Sequence, residues 1–197
     1  MLSGGSRSLR RCAGVSMIEV LVTIIIVTAG LLGAAGMQMR MQLAEIESFQ
    51  RAQAIVLLED MVDRINANRK NAANYVTVNP LGTGSTLDCS APATIAARDQ
   101  CEWEQSLLGA AETTGGGANK VGAMNGARGC ITLPVATMPR QLVVAIVWQG
   151  INPTLAPGAT TCGQGLYGNE ANRRAMIASV TIGCLQNDPT TGLCVTP

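Results

Sequence analysis

Apolar residues cluster near the N-terminus of the chain in one run from Val20 to Met37, which contains no charged residue. The run extends back to Val15 if Ser16 and Glu19 are included. A helix of roughly 18–23 residues spans about 27–35 Å, enough to cross the hydrocarbon core of a bilayer. The pattern therefore predicts a membrane-spanning helix with a single acid, Glu19, at its start.

Beyond Gln38 the hydrophobic pattern becomes that of an amphipathic helix. Apolar residues at helical spacing predict a core-facing stripe that consists of Ala54, Ile55, Leu58, Met61, Val62 and Ile65. The asparagine-rich stretch from Asn66 to Asn74 is interpreted as a frayed helix end. We therefore expect one continuous helix from about residue 16 to residue 69.

The rest of the chain combines a short helix with strand candidates. Ile95 to Leu108 is predicted to form a helix that buries Trp103. Apolar and alternating patterns predict three strands, which are Cys130–Leu133, Leu142–Trp148 and Met176–Ile182. Residues 76–94 are interpreted as a loop and residues 113–129 as a flexible connection. A helix followed by strands indicates an α+β fold, with the long helix laid across one face of a small antiparallel sheet.

Two groups of charged residues in this head domain are expected to face solvent. Asp99, Glu102 and Glu104 lie on the predicted short helix, where a solvated surface is a simpler interpretation than paired acids for acid–base chemistry. Arg173 and Arg174 precede the last strand. They are interpreted as a solvated strand entrance, with contact to an acidic partner surface as the alternative.

Seven cysteines are many for a chain of 197 residues. Cys12 precedes the apolar run, and the other six follow it: Cys89, Cys101, Cys130, Cys162, Cys184 and Cys194. An even set beyond a membrane segment suggests disulfides formed outside the cytoplasm. Among many possible pairings, the simplest joins sequence neighbours: Cys89–Cys101, Cys130–Cys162 and Cys184–Cys194. The cysteines lack the C-x-x-C spacing that would indicate a zinc site, and no metal or cofactor is expected.

Three interpretations of the N-terminal segment are open from the residues alone. A secretory signal peptide has a shorter apolar run, of about 7–15 residues. A plain membrane anchor leaves Glu19 unexplained, because a carboxylate in the bilayer costs roughly 2.5–3.5 kcal/mol. Cleavage after Gly14 would instead free the amino group of Val15, and its positive charge and the carboxylate of Glu19 would neutralise each other.

The sequence Gly14-Val15-Ser16-Met17-Ile18-Glu19-Val20-Leu21-Val22 resembles the class III signal of type IV pilins and pseudopilins. The resemblance implies that a prepilin peptidase cleaves between Gly14 and Val15 on the cytoplasmic side. It further implies that Val15 is then N-methylated and that Glu19 is the assembly glutamate. The family most often has phenylalanine where this chain has Val15.

A narrower resemblance, to the PilV group of minor pilins or type IV pilus modification proteins, covers residues 14–69. Its segments are Leu31-Leu32-Gly33, Arg51-Ala52-Gln53-Ala54 and Asp60–Arg69. In the head the likeness is more diffuse, around Trp103, Val144–Gly150 and Cys162–Arg174.

The resemblance implies four parts along the chain. They are a leader peptide at 1–14, a transmembrane and filament-core helix at 15–38, its amphipathic continuation at 39–70, and a periplasmic head with disulfides at 71–197. The implied partners are the prepilin peptidase, inner-membrane lipid before assembly, other minor pilins and the major pilin. The implied final location is the pilus, near its tip, where a minor-pilin complex primes assembly.

Other classes of protein fit the composition less well. A minor pseudopilin of a type II secretion system shares the N-terminal physics and is the close alternative. A membrane-tethered periplasmic enzyme is disfavoured because the chain has no histidine and no nucleophile motif. Of the 14 basic residues, three lie in the leader, which leaves 11 against 13 acidic residues. That balance does not favour binding to nucleic acid.

Overall fold

The computed structural model describes residues 14–110, 112–115, 119–120, 122, 124–137, 140–184, 186–187 and 194–195. The leader peptide predicted at 1–14 and Cys12 lie outside these residues, apart from Gly14. The chain divides into two compact units, with the boundary between Ala44 and Glu45.

The long helix α1 runs from Met17 to Ala67, which confirms the predicted continuous helix. It begins directly after Ser16, whose hydroxyl accepts a hydrogen bond from the Ile18 N–H at 3.3 Å, as a helix-capping side chain does. The asparagine-rich stretch that follows is not frayed. It forms 3-10 turns from Arg69 to Tyr75 with a kink at Asn71. The Asn68 amide donates to the Tyr75 hydroxyl at 3.2 Å and connects the two ends of this segment.

The head contains a second helix, α2 (Ile95–Leu107), and a four-stranded antiparallel sheet. The strands in chain order are β1 (Leu81–Gly82), β2 (Thr113–Thr114), β3 (Asn119–Lys120), β4 (Arg128–Val135), β5 (Arg140–Gln149), β6 (Arg173–Ile182), β7 (Gln186–Asn187) and β8 (Cys194–Val195). The sheet has the order β1-β4-β5-β6, and β2-β3 and β7-β8 form separate two-stranded pairs. The predicted α+β class, a long apolar helix followed by a small antiparallel sheet, is confirmed.

The three predicted strands are all present and extend beyond their predicted limits. β5 lies between β4 and β6 and is largely buried from Leu142 to Trp148, as a covered central strand should be. The predicted loop at 76–94 is interrupted by β1, which pairs Leu81 with Gly129 of β4. A two-residue strand has too little pattern to be recognised in a sequence rich in turn residues.

Helix α1 and the sheet of the head share one hydrophobic core. The predicted stripe on α1 is correct at four positions, which are buried: Ala54, Leu58, Met61 and Ile65. It is wrong at Ile55, which is 39% exposed. The remaining member of the predicted stripe, Val62, is partly buried against the same core. Packing against the sheet therefore buries a narrower face of α1 than the spacing predicted.

Trp103 holds α2 against α1 at the centre of this core. Its side chain is fully buried, and its indole N–H donates to the Leu57 carbonyl at 2.8 Å. Gly129 of β4 lies directly beneath the ring, where a Cβ atom would come within 2.2 Å of Trp103 Cη2. Glycine is therefore required at this strand position by close approach rather than by backbone conformation.

A smaller cluster covers the opposite face of the sheet and consists of Cys130, Ala145, Val147, Cys162 and Tyr167. The Tyr167 hydroxyl donates to the Gly126 carbonyl at 2.8 Å, and burial raises the pKa of this phenol. The prediction of a flexible connection at 113–129 is wrong at the C-terminal end of that range, because Met124 and Ala127 are buried. A buried segment between two glycines is hard to distinguish from a loop by composition.

Two disulfides join sequence neighbours, as the simplest pairing predicts. They are Cys89–Cys101, which ties the loop before α2 to that helix, and Cys130–Cys162, which ties β4 to the loop before β6. Cys184 is also disulfide-bonded. Its predicted pairing with Cys194 stays a prediction, because the Cys194 side chain lies outside the described residues.

Removal of the Cys130–Cys162 disulfide is expected to destabilise the head more than removal of Cys89–Cys101. The sequence separations are 32 and 12 residues, and chain-entropy arguments give roughly 4 and 3 kcal/mol, respectively. Denaturant unfolding of the two double Cys→Ala variants would measure both losses. Equal losses, or a larger loss for the shorter loop, would contradict the loop-length argument.

Candidate assembly interface

The N-terminal segment presents all the residues of the predicted processing signal on one accessible stretch. Gly14 and Val15 precede the helix and are exposed. The first helical hydrogen bonds join the N–H groups of Glu19 and Val20 to the Ser16 carbonyl, at 3.0 and 3.3 Å. The signal therefore consists of an open chain segment followed at once by a capped helix.

Glu19 lies in the first turn of α1, and its side chain is exposed. A carboxylate is stabilised there by the partial positive charge of a helix N-terminus. Between Val15 and Ala44 the only other charged residue is Arg40, six turns further along the helix. Glu19 is therefore an isolated negative charge on an apolar surface.

The part of α1 that lies in the first unit, residues 17–44, has only exposed side chains, and most of them are apolar. An 18-residue window of this helix has a mean hydropathy of 2.3, and none of that window is buried, so by length and composition it could cross a membrane. The exposed large apolar residues of the first unit are Val15, Met17, Ile18, Val20, Leu21, Val22, Ile24, Ile25, Ile26, Val27, Leu31, Leu32, Met37, Met39, Met41 and Leu43. A surface of this size marks a lipid or protein contact.

The acids on α2 are not simply solvated, as the sequence pattern suggested. Asp99 and Glu104 are buried, and only Glu102 is exposed. Arg64 of α1 binds Glu102 at 2.6 Å and Asp99 at 3.3 Å, and its hydrogen bond lowers the pKa of the Glu102 carboxyl. These contacts join the two helices, so the acids have a structural role.

Tyr75 completes this polar network from the end of the 3-10 helix. Its hydroxyl donates to the Asp99 carboxylate. Burial, together with that hydrogen bond, raises the pKa of Tyr75 to about 12. The phenol therefore stays protonated at neutral pH and continues to donate.

Arg173 and Arg174 are buried. The interpretation of this pair as a solvated strand entrance is therefore wrong, and so is the alternative of contact with an acidic partner surface. Arg173 donates to the carbonyls of Thr160 and Cys162 at 2.9 and 3.1 Å and pairs with Glu170 at 2.7 Å. Buried carbonyls of a long loop need donors, and a guanidinium supplies five. The Arg173 guanidinium therefore makes its contacts within the loop before β6 and the turn that carries Glu170.

Arg174 makes a separate set of contacts. It pairs with Glu47 of α1 at 3.3 Å and donates to the Ala171 carbonyl at 3.1 Å. Gly150 lies against the guanidinium, where a Cβ would come within 2.6 Å of its central carbon. Two adjacent arginines before a strand are the only sequence signal for this arrangement, and they do not indicate burial.

A cleft of about 480 Å³ opens on the sheet face opposite α1, between β4, β5 and the loop that contains Cys162. Its lining is made of threonine, valine, alanine, proline, glycine, asparagine and disulfide-bonded cysteine. It therefore offers no acidic or basic side chain for proton transfer. Among the described residues, no group of three or more histidine, cysteine, aspartate or glutamate side chains could hold a metal ion.

Comparison with known protein families matches residues 36–106 to a family described as type IV pilin Tt1218, Tt1218-like. The match covers about a third of the chain, from the second part of α1 through almost all of α2. It begins after the predicted signal at Gly14–Glu19, so the family match and the signal prediction rest on different residues. No curated protein and no solved structure matches the chain. Over residues 36–106 the chain is similar to type IV pilins.

Proposed function

We propose that this chain is a minor pilin of a type IV pilus, made as a membrane precursor and incorporated into the filament. The observation that carries the proposal is the isolated carboxylate of Glu19 at the start of an apolar helical segment whose side chains are all exposed. The similarity of residues 36–106 to a type IV pilin supports it independently. The role is structural, and no catalytic step is assigned.

In this proposal the leader is removed between Gly14 and Val15 by a prepilin peptidase, and the new amino group of Val15 is methylated. Before assembly, α1 is held in inner-membrane lipid, with the head on the periplasmic side. During assembly the apolar surface exchanges lipid contacts for contacts with the helices of other minor pilins and the major pilin. Since both environments are apolar, packing and charge pairing decide the exchange.

Glu19 supplies the charge pairing. A free ammonium and a free carboxylate are each costly in an apolar environment, and each relieves the other when they meet. In a staggered filament the carboxylate of one subunit meets the N-terminus of its neighbour. The head, braced by disulfides, then lies outside the helical core. A small set of such subunits at the tip would prime pilus assembly.

Mass spectrometry of the mature N-terminus tests the processing step. We expect the exported protein to begin with N-methylated Val15, because Gly14 and Val15 form an open segment before the helix. A strain without prepilin peptidase provides the control and should retain residues 1–14. An exported chain that keeps its leader in the wild-type strain would overturn the proposal.

The pseudopilin alternative predicts the same processed N-terminus and needs a different readout. Deletion of the gene should reduce surface pili and twitching motility if the chain is a minor pilin. Loss of exoprotein secretion with intact pili would instead assign the chain to a type II secretion system.

A further inference from the structure

Among the described strands, β6 forms one edge of the sheet in the head. Along all ten of its residues it pairs with β5 on one side. On the other side, none of the strands in the described part of the chain pairs with it. Alternate N–H and C=O groups of an edge strand point outward and are available to another strand.

The opposite edge of the same sheet is blocked. β1 pairs with the first residues of β4, and the Thr77 N–H donates to the Ile131 carbonyl further along at 2.9 Å. Pro134 then removes a donor near the end of β4. Within the described part of the chain the two edges therefore differ, and the β4 edge carries the usual devices against pairing.

The sequence of β6 carries no such protection. Between Ala175 and Ile182 there is neither a charged residue nor a proline. The two arginines at its start are turned inward to Glu170 and Glu47. A long, uncharged edge is normally avoided in proteins that stay monomeric.

The side chains of β6 also leave part of the core near this edge open. Met176 and Ala178 pack against the core but are only partly buried. On the other face Ile177, Ser179 and Thr181 are exposed. An added strand would cover the first pair and would offer cross-strand contacts to the second set.

We propose that β6 is a docking edge for an extended, uncharged strand of a different pilin-like chain, which would become the fifth strand of the sheet. This proposal rests on the proposed function. A second copy is a poorer occupant, because two identical edges pair antiparallel across a two-fold axis. The packed segments of α1 on their sheets would then run in opposite directions, whereas subunits inserted in one membrane and one filament share a direction.

Site-specific photo-crosslinking in the native host tests the docking edge with the full-length chain. The photoreactive residue p-benzoylphenylalanine replaces Ile177, Ser179 or Thr181 in turn, and crosslinked peptides are mapped by mass spectrometry. Thr113, exposed on β2, provides the control position. Since residues i, i+2 and i+4 of a strand lie along one face, strand pairing predicts a ladder of crosslinks that moves two residues along the partner per step.

The result expected is such a ladder on one segment of another protein that carries its own glycine–glutamate signal, with no crosslink from Thr113. Crosslinks to a second copy of this chain in antiparallel register would overturn the proposed occupant. Crosslinks without a ladder, or none, would overturn strand pairing itself.

A charge on the edge provides the second measurement. Crosslinking identifies the partner, and its co-purification is then measured without crosslinking. Ser179→Lys should reduce this co-purification about tenfold, a change that corresponds to ~1.4 kcal/mol of binding free energy. Ser179→Thr should not reduce it, and both variants should unfold at the same denaturant concentration as the wild type. A processed N-terminus without crosslinks would remove this inference alone, whereas a retained leader would remove the proposed function.

Discussion

Replacing Glu19 with glutamine is expected to leave membrane insertion and leader cleavage intact and to reduce incorporation into pili at least tenfold. Glutamine keeps the size and hydrogen-bonding capacity of the side chain and removes only its charge. An ion pair at about 4 Å is worth roughly 4 kcal/mol at an effective dielectric constant of 20. Even a third of that energy would change the incorporated fraction by about tenfold.

The matched control is Glu45→Gln, an exposed acid on the same helix within the second unit. It removes the same charge, and incorporation should stay at the wild-type level. Immunoblots of sheared pili and of membranes would measure incorporation and insertion, and mass spectrometry would measure cleavage. Wild-type incorporation of Glu19→Gln would show that the carboxylate has no role in assembly.

A simple membrane anchor makes the opposite prediction for this variant. Loss of the charge would ease insertion, since an ionised carboxylate in the bilayer is costly. The amount of membrane-bound protein would rise, and nothing else would change. The experiment therefore separates an assembly residue from an incidental acid.

Truncation of Trp103 to alanine is expected to destabilise the head by about 3–5 kcal/mol. The side chain is fully buried, and its N–H satisfies the Leu57 carbonyl. Native domains are stable by only about 5–15 kcal/mol in total, so much of the margin would be lost. Denaturant unfolding of the full chain in detergent would measure the effect through the fluorescence of Trp148, which is also buried.

Ile95→Ala provides the control on the same helix, because Ile95 is 53% exposed. Its effect should stay within about 0.5 kcal/mol. A loss below about 1.5 kcal/mol for Trp103→Ala would contradict the central position of the indole ring.

Gly129→Ala probes the same contact from the sheet. The added Cβ would overlap the Trp103 ring, so the single variant should be destabilised by about 1–3 kcal/mol. In the background of Trp103→Ala the same substitution should cost less, since the ring is gone. The difference is a coupling energy that only a direct contact produces. Additive losses would place the two residues out of contact.

The sequence determines the helices and the main strands of this fold because their patterns are long. An apolar run of this length is unfavourable in water and indicates a membrane or protein environment. In the second half of α1, apolar residues at helical spacing indicate a helix and not a strand. The predicted N-terminal signal is equally local, since Gly14, Val15 and Glu19 lie within six consecutive positions. The same locality makes the neighbour pairing of Cys89 with Cys101 the simplest one to predict.

Features that depend on distant residues could not be predicted in this way. The buried state of Arg173 depends on carbonyls of a loop whose path is not encoded near the arginine. Asp99 is buried because α2 packs against α1 beside Arg64, 35 positions away. In both cases the residue type indicates solvent, and a long-range partner reverses that tendency.

The sequence by itself determined the long helix, its isolated acid and the α+β order of elements, because each follows from contacts between residues close in the chain. Only the tertiary structure decided how wide the buried face of α1 is, why Gly129 must be glycine and which edge of the sheet has no partner strand among the described residues. Those properties arise where segments far apart in sequence come within a few ångströms. Periodicity and composition do not record that proximity.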